Sequence, residues 1–154
     1  MTTMTEPVAK VRHKSFHFAT SINWVEGRTG LVSESGGSET FRVGPPPEFR
    51  GEPGVWSPEH LLLAAVDSCL MVTFAGMAAK HDLAFVSYRS SIDGLLEWSD
   101  GAMRFTEIVL KPEITIREES ATGLARELIS KAHEACLIAN SLNSRVIIEP
   151  KIQL

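Results

Sequence analysis

One uninterrupted apolar segment limits what this chain can fold into more than any other feature. The run LLLAAVDSCLMVTFAGMAA, Leu61 to Ala79, carries Asp67 as its only charged side chain. It is long enough to cross a bilayer as a helix, but a carboxylate near the middle of a lone span is costly. We therefore expect a helix that is buried on all sides in a soluble fold, with no membrane as a partner.

The residues before this segment carry the signals of a helix N-terminus. Ser57 suits the N-cap, Pro58 the first helical position, and Glu59 an early position where the helix dipole favours a carboxylate. The sequence therefore predicts a helix that runs from Pro58 to about Lys80.

The first third of the chain is predicted to form β-strands. Aromatic and β-branched residues alternate loosely, a Gly-containing turn follows, and two further short runs have strand composition. The segments are KSFHFATSINWVEG, the turn EGRTG, LVSES and ETFRV. The next segment, GPPPEFRGEPGVW, is too rich in Pro and Gly for regular structure and is expected to be a surface loop of a length that often carries function.

After the apolar helix the sequence predicts a second hairpin, a second helix and a last strand. The hairpin surrounds the turn SDGA, the amphipathic helix is EESATGLARELISKAHEACLIANSLN, and the strand is SRVIIEPKIQL. The order β-β-β-α-β-β-α-β has strands in hairpins and no repeated βαβ units. It indicates an α+β fold of mainly antiparallel sheet with two long helices.

Length and composition favour one ordinary soluble domain covering residues 1–154. The chain has 15 basic and 19 acidic residues and a net charge of −4, without the clustered positive charge that a nucleic-acid binder needs. The N-terminus MTTMTEPVAKVRHK lacks the apolar core of a secretory signal, so a cytoplasmic location is expected.

The two cysteines leave three interpretations open. Cys69 lies on an apolar stripe of the first helix and should be buried, and Cys136 lies on a more polar row of the second helix. In a reducing cytosol they are inert core thiols, a redox couple or part of a metal site. A zinc site would use His133 with Cys136, or His13 with His17, but no CxxC or HExxH motif supports one.

Two motifs together resemble the signatures of the OsmC/Ohr family. WSPEHLLLAAVDSCL is similar to the first, a Pro-Glu at a helix start with a cysteine ten positions after the Glu. AHEACLIANSLN is similar to the second, in which a cysteine precedes a small polar segment, and the two cysteines lie 67 positions apart, as suits the family. EGRTG resembles the arginine-bearing turn of the Ohr branch. The resemblance covers nearly the whole chain.

The resemblance implies an OsmC/Ohr-like fold assembled as an intertwined homodimer, with the long helices at its centre. It implies a thiol peroxidase that reduces organic hydroperoxides to alcohols with no metal and no bound cofactor. Cys69 then matches the peroxidatic cysteine, Cys136 the resolving cysteine and Glu59 the catalytic carboxylate. An external dithiol, either a lipoyl group or a small thiol, would reduce the oxidised pair.

Two arginines compete for the family's active-site position. Arg28 fits the Ohr-like turn, whereas Arg50 lies in the loop where OsmC-type members carry theirs and aligns only with a shift of two positions. We favour Arg28. Burial raises the pKa of a thiol, so Cys69 would be inert without a nearby cation, and a carboxylate can hold a guanidinium in place through a bidentate pair.

The helix sets the distance between Glu59 and Cys69. Ten residues of unbroken helix rise about 15 Å, so Glu59 cannot reach the Cys69 of its own straight helix. Either the helix breaks, or Glu59 serves the Cys69 of a partner chain, which agrees with the implied homodimer.

Three residues depart from the family pattern. Leu137 follows Cys136 where proline is common, and Asp67 and Ser68 precede Cys69 where small residues are usual. A carboxylate facing Cys69 would oppose thiolate formation, although at i−2 Asp67 should point elsewhere. These departures favour an alternative in which the fold is kept but the protein only binds a small ligand in an apolar pocket.

Overall fold

In the described part of the chain, strands and helices follow in the order β-β-β-α-β-β-α-β-β. The computed structural model describes residues 14–35 and 37–154. The strands are β1 (Thr20–Glu26), β2 (Thr29–Glu34), β3 (Thr40–Val43), β4 (Phe85–Ser99), β5 (Ala102–Ile116), β6 (Arg145–Ile148) and β7 (Lys151–Gln153). The helices are α1 (Pro58–Lys80) and α2 (Thr122–Glu134). The predicted α+β class is confirmed, with one correction: the last predicted strand is two strands, separated at Pro150.

The first three strands form an antiparallel sheet in the order β1-β2-β3. The predicted hairpin is confirmed, although its first strand begins at Thr20 and not at Lys14. All of β1 is exposed, and within the sheet only Gly30 and Val43 are buried. The sheet therefore contributes almost nothing to the core of a single chain.

The predicted loop between β3 and α1 is present and is tightly turned. Its residues 47–49 form a short 3-10 turn, and the N–H groups of Phe49 and Gly51 both donate to the carbonyl of Pro46 at 2.9 Å. A Cβ atom at Gly51 would lie 1.6 Å from the Pro45 carbonyl oxygen, so this position requires glycine. The turn fixes the carbonyl groups of Phe49 and Arg50, which both accept hydrogen bonds from the Arg28 side chain.

Helix α1 begins and ends where the sequence predicts. Ser57 is its N-cap and accepts a hydrogen bond from the His60 N–H at 3.2 Å, with Pro58 in the first helical position. Among the described residues it is the helix that is long and apolar enough to span a membrane. One stripe of the helix is buried against α2 and strands β4 and β5: Val66, Leu70, Phe74 and Ala78.

The expectation that α1 is buried on all sides is wrong for the single chain. Cys69 lies beside the buried stripe and is only half-buried, while Met71 and Val72 are 38% and 62% exposed. The helix is apolar on nearly every face, so the spacing of its apolar residues does not identify the face that packs inward. The prediction that Cys69 is buried is corrected for the same reason.

The second sheet is mixed rather than purely antiparallel. The long strands β4 and β5 pair antiparallel around Asp100 and Gly101, whose positive φ angles of 49° and 82° suit an Asp-Gly hairpin turn. Strands β6 and β7 both pair with β5 in parallel. Because Pro150 has no N–H to donate, the C-terminal segment pairs as two short strands instead of one.

Helix α2 is shorter than predicted and ends before Cys136. The N–H of Cys136 bonds to the carbonyl of His133 at 3.1 Å, and the side-chain amide of Asn140 donates to the carbonyl of Glu134 at 2.9 Å. These bonds tighten and cap the last turn, as side chains commonly do at helix ends. Cys136 therefore lies in the turn after α2, and its predicted position on the second helix is wrong.

Candidate functional site

Cys69 and Cys136 meet where α1 crosses the turn that follows α2. The two thiols are free, and they lie near enough that each shifts the pKa of the other. Cys136 belongs to the core and is 1% exposed, whereas Cys69 packs against the edge of the core and remains partly accessible. The fold thus places one reachable thiol directly beside one buried thiol.

The turn after α2 stabilises the thiolate form of Cys69. Burial raises the pKa of the Cys69 thiol. Hydrogen bonding by the Ile138 N–H, the Cys136 thiol and the Leu137 N–H lowers it by more than burial raises it, so the pKa of Cys69 lies below its ordinary value. A hydrogen bond to a charged group contributes about 1.5–3 kcal/mol. Several such donors outweigh the cost of partial burial.

Leu137 has a direct part in this arrangement. It stands where the family commonly has proline, and its backbone N–H is one of the donors that lower the pKa of Cys69. Proline has no N–H and could not make this bond. The departure from the family pattern is therefore compatible with a reactive Cys69.

The pKa of Cys136 shifts the other way. Burial raises it, and the neighbouring Cys69, both as a hydrogen-bond partner and as a negative charge, raises it again. Cys69 therefore ionises first, and Cys136 remains a thiol that donates to it. This order of ionisation makes Cys69 the more reactive thiol and leaves Cys136 protonated beside it.

The expected cation beside Cys69 is absent from its surroundings within the described chain. The groups that act on the Cys69 thiol are backbone N–H groups, the Cys136 thiol and the Thr73 hydroxyl. Asp67 does not oppose the thiolate, because it turns toward the second sheet and accepts a hydrogen bond from Ser90. Backbone dipoles replace the cation that the sequence argument required.

The pH dependence of alkylation tests this account of Cys69. The rate at which iodoacetamide modifies Cys69 is expected to reach half its maximum at a pH below that of an ordinary thiol, because the pKa of Cys69 is lowered. Cys136→Ala removes the thiol donor and should move the midpoint to higher pH. Mass spectrometry of the Cys69 peptide across a pH series measures both.

Ser68→Ala serves as the control for that experiment. The Ser68 hydroxyl bonds to the carbonyl of Ala65 at 3.2 Å and is exposed, so its loss should leave the midpoint unchanged. A wild-type midpoint at or above that of a free cysteine would contradict the assigned role of the backbone donors.

A second group of candidate residues lines a cavity of about 640 Å³ between the first sheet and the start of α1. Arg28 comes from the β1–β2 turn and Glu59 from the first turn of α1. The other walls are mostly apolar and include Trp24, Val43 and Phe49. The cavity therefore suits an apolar molecule that carries one polar end.

The structure separates the two candidate arginines. Arg28 lines the cavity, and its guanidinium donates to the carbonyl oxygens of Phe49 at 2.9 Å and Arg50 at 3.2 Å. Arg50 does not line it; the residue is exposed, has a left-handed backbone with φ of 62°, and contributes its carbonyl to Arg28. Of the two side chains, only that of Arg28 is available to a ligand in this cavity.

Glu59 carries an unsatisfied oxygen. Its Oε2 atom is buried and has no hydrogen-bond partner among the described residues. It forms no ion pair with Arg28, although both line the same cavity, and it also borders a second cavity of about 460 Å³ beside Leu63 and Phe105. A buried carboxylate oxygen without a partner is costly, so a hydrogen-bond donor that entered the cavity would stabilise Glu59.

The thiol pair and this cavity do not meet within one chain. Helix α1 is unbroken from Pro58 to Lys80, so Glu59 and Cys69 are separated by about 15 Å of helix. Cys69 does not line the cavity that holds Arg28. Of the two possibilities raised by the sequence, a broken helix is excluded.

Residues 14–35 and 37–154 contain no group of three metal-binding side chains. His13, one of the histidines considered for zinc, lies outside the described residues. The donors around Cys69 were not predicted from the sequence. Thr73, four positions further along α1, could have been found from helical spacing. The N–H groups of Leu137 and Ile138 could not, because every residue but proline has one.

A family model and a protein of Bacillus subtilis both match most of this chain. The family model described as OsmC-like protein matches residues 51–151. The uncharacterized protein YmaD of Bacillus subtilis is 23% identical over 133 residues, which is 84% of this chain and 89% of that protein. The residues matched by the family model include both cysteines and Glu59.

Solved structures match the fold as well. An OsmC-like protein of unknown function from Vibrio cholerae is 25% identical, with a TM-score of 0.80 over 88% of this chain and 99% of that one. An organic hydroperoxide resistance protein from Legionella pneumophila is 21% identical, with a TM-score of 0.70 over 90% of this chain and 98% of that one. OhrB of Bacillus subtilis is 19% identical, with a TM-score of 0.61 over 89% and 98%.

Proposed function

Because this chain belongs to the OsmC-like protein family, we propose that it is a thiol peroxidase that reduces organic hydroperoxides to alcohols. The observation that carries the proposal is the thiol pair, in which a partly accessible Cys69 of lowered pKa packs against the core that contains a buried Cys136 of raised pKa. The similar structures from Legionella pneumophila and Bacillus subtilis that are named for hydroperoxide resistance support the substrate class.

The proposed reaction has two steps on the protein. The Cys69 thiolate attacks the terminal oxygen of the hydroperoxide, the O–O bond breaks, and the alkoxide takes a proton and leaves as the alcohol. Cys136 then attacks the sulfur of the Cys69 sulfenic acid, and its proton leaves with the hydroxyl group as water. An external dithiol, such as a lipoyl group or a small thiol, returns two electrons and two protons to the resulting disulfide.

Arg28 and Glu59 are proposed to bind and orient the peroxide group. A guanidinium favours the negative charge that develops on the oxygen atoms as the bond breaks, and the unsatisfied Glu59 Oε2 can accept a hydrogen bond from the hydroperoxide O–H or from Arg28. The apolar walls of the cavity favour an organic chain or ring over hydrogen peroxide.

The active form is proposed to be a homodimer in which Arg28 and Glu59 of one chain meet the thiol pair of the other. The distance along α1 supports this arrangement, and so does the unsatisfied carboxylate. In the single chain, the apolar residues Ile22 and Trp24 of β1 are 62% and 73% exposed, which also supports a dimer. A sheet with exposed apolar side chains needs a second layer to cover them, and a second copy of the chain would supply that layer. A reducing cytoplasm is the proposed location, since it would supply the dithiol.

A second candidate function is binding without catalysis. The separation of the cavity from the thiols within one chain favours it, because a monomer could hold an apolar carboxylate against Arg28 without any sulfur chemistry. A non-reactive fatty acid that bound with the same affinity to the wild type and to Cys69→Ser, in a protein that left hydroperoxides unchanged, would support this function instead.

Thiol titration tests the peroxidase directly. One equivalent of cumene hydroperoxide is expected to remove both thiols of each reduced chain, to lower the intact mass by about 2 Da and to yield one equivalent of the alcohol, as disulfide formation requires. The same dose of hydrogen peroxide should react more slowly. Two thiols that survive prolonged exposure to cumene hydroperoxide would refute the enzyme.

A further inference from the structure

A second cavity, beside the one that holds Arg28, has the opposite charge. It has a volume of about 460 Å³ and lies between the β3–α1 loop, the start of α1 and the β4–β5 hairpin. Its charged lining groups are the carboxylates of Glu48 and Glu59, and no lysine or arginine of the described chain lines it. We call it the acidic cavity. Because Arg28 lines the first cavity and not this one, the two cavities suit ligands of different charge.

Glu59 gives the acidic cavity an acceptor that lacks a donor. Its Oε2 atom is buried and has no hydrogen-bond partner among the described residues. In the same part of the chain, neither Glu59 nor Glu48 forms an ion pair. A carboxylate forms its strongest hydrogen bonds with donors that carry a positive charge. A cation with N–H groups is therefore the partner that best satisfies Glu59.

His60 is the remaining polar side chain of the acidic cavity, and it adds no positive charge. The Ser57 hydroxyl is buried, accepts a hydrogen bond from the His60 N–H at 3.2 Å and lies 2.7 Å from the ring nitrogen Nδ1. Because this hydroxyl has no other acceptor in the described chain, it donates its proton to Nδ1, and the ring proton is on Nε2. The ring is neutral in this arrangement, so the charge of the two carboxylates is not compensated.

The rest of the lining is apolar and includes two phenyl rings. Phe49 and Phe105 line the cavity together with Leu63 and Leu95. The faces of aromatic rings attract cations, and apolar side chains bury the carbon skeleton of a ligand. A metal ion fits less well, because no group of three metal-binding side chains occurs in the described residues. Carboxylates, phenyl rings and aliphatic side chains together favour an organic cation.

We propose that the acidic cavity binds a primary amine with an apolar body, such as an arylalkylamine. The ammonium group donates hydrogen bonds to the Glu59 carboxylate and is attracted by the charge of Glu48, while the apolar body packs against Leu63 and Phe105. A quaternary ammonium would match the charge but has no N–H to donate to Glu59. Glu59 is shared with the Arg28 cavity, but amine binding involves neither thiol and goes beyond the proposed peroxidase.

Calorimetric titration of the reduced full-length protein with 2-phenylethylamine tests this site. The neutral 2-phenylethanol has nearly the same shape and should bind about tenfold more weakly. Glu59→Gln keeps the shape of the side chain and removes its charge, so the amine should bind about tenfold more weakly to this variant. Glu48 is exposed, and Glu48→Gln should weaken binding about threefold. Glu52→Gln, which removes an exposed carboxylate of the same loop that does not line the cavity, should leave the affinity unchanged.

Two glycine variants locate the ligand. A Cβ atom at Gly94 would lie 2.7 Å from Cδ2 of Leu63 and 2.8 Å from Cε1 of Phe105, so Gly94→Ala displaces two side chains that line the acidic cavity. A Cβ atom at Gly30 would lie 2.9 Å from Cδ1 of Ile22, which lines the cavity that holds Arg28. We expect Gly94→Ala to lose affinity for 2-phenylethylamine and Gly30→Ala to keep it. Circular dichroism establishes that each variant is folded.

Equal affinities of the wild type for 2-phenylethylamine and 2-phenylethanol would overturn the inference, and so would an unchanged affinity for the amine in Glu59→Gln. Weaker binding in Gly30→Ala but not in Gly94→Ala would also overturn it, because the amine would then lie in the cavity that holds Arg28. If Gly94→Ala does not fold, the comparison of Glu48→Gln with Glu52→Gln decides the same question. Amine binding by a protein that leaves hydroperoxides unchanged would refute the proposed function and support the amine site.

Discussion

Replacing Cys69 by serine is expected to abolish hydroperoxide turnover while leaving the fold intact. Serine has nearly the same shape, but its hydroxyl is not ionised at working pH, and the backbone donors of the turn after α2 then have no thiolate to stabilise. Cys69 is only half-buried, so the free energy of unfolding should change by about 1 kcal/mol or less. Consumption of cumene hydroperoxide in the presence of excess dihydrolipoamide measures the activity, and thermal unfolding measures the stability.

Cys136→Ser is the matched variant for this prediction. It keeps the nucleophile and removes the resolving thiol, so each chain should consume one hydroperoxide and stop as a sulfenic acid. Dimedone should trap that acid, and excess peroxide should convert it to the sulfinic form. Equal peroxide consumption by the wild type and Cys69→Ser would contradict the assignment of Cys69, whatever the behaviour of Cys136→Ser.

Local signals in the sequence were sufficient for most of the elements. Ser57 and Pro58 predict the start of α1 because capping depends on a few adjacent atoms, and Asp100 with Gly101 predicts the β4–β5 turn because few residue pairs tolerate two positive φ angles. The OsmC-like fold itself was predicted from two motifs rather than from periodicity. The structural comparisons confirm that resemblance.

Long-range packing explains what the sequence did not predict. Helix α1 is apolar on nearly every face, so its pattern could not show that Leu70 packs inward while Cys69 lies beside the buried stripe. The end of α2 depends on the Asn140 side chain, which folds back to cap Glu134 from six positions away. A helix pattern continues through that point, and only the cap shows where the helix stops.

The candidate site, too, is predictable from the sequence where it depends on local motifs and not where it depends on long-range packing. The candidate residue types follow from the motifs, and the rise of a helix alone separates Glu59 from Cys69. The source of thiolate stabilisation was not predictable, because the N–H groups of Leu137 and Ile138 leave no mark in the sequence. The expectation of a cation at Cys69 follows a sound rule about buried thiols, but within one chain backbone dipoles meet the same need.

Two inactive variants are expected to restore activity to each other if Arg28 and Glu59 serve the thiols of the partner chain. Cys69→Ser lacks the nucleophile and Glu59→Ala lacks the carboxylate, so either homodimer should be inactive. In a mixed dimer, the intact Cys69 of one chain meets the intact Glu59 of the other at one of the two sites. With random pairing, half the dimers are mixed and each has one complete site, which gives about a quarter of the wild-type activity for a two-fold symmetric dimer.

The same mixture distinguishes sites shared between chains from sites built within one. If each site used the Glu59 and Cys69 of a single chain, both sites of a mixed dimer would be defective and no activity would return. Co-expression with two different affinity tags, followed by sequential purification, isolates the mixed dimer, whose activity should be about half that of the wild type. A mixture of Cys69→Ser with Cys136→Ser is the control: both thiols come from one chain in either arrangement, so neither site of that mixed dimer can complete a cycle. Because α1 is unbroken from Pro58 to Lys80, recovery of activity in the first mixture and not in the second would require that Glu59 reach Cys69 across the interface.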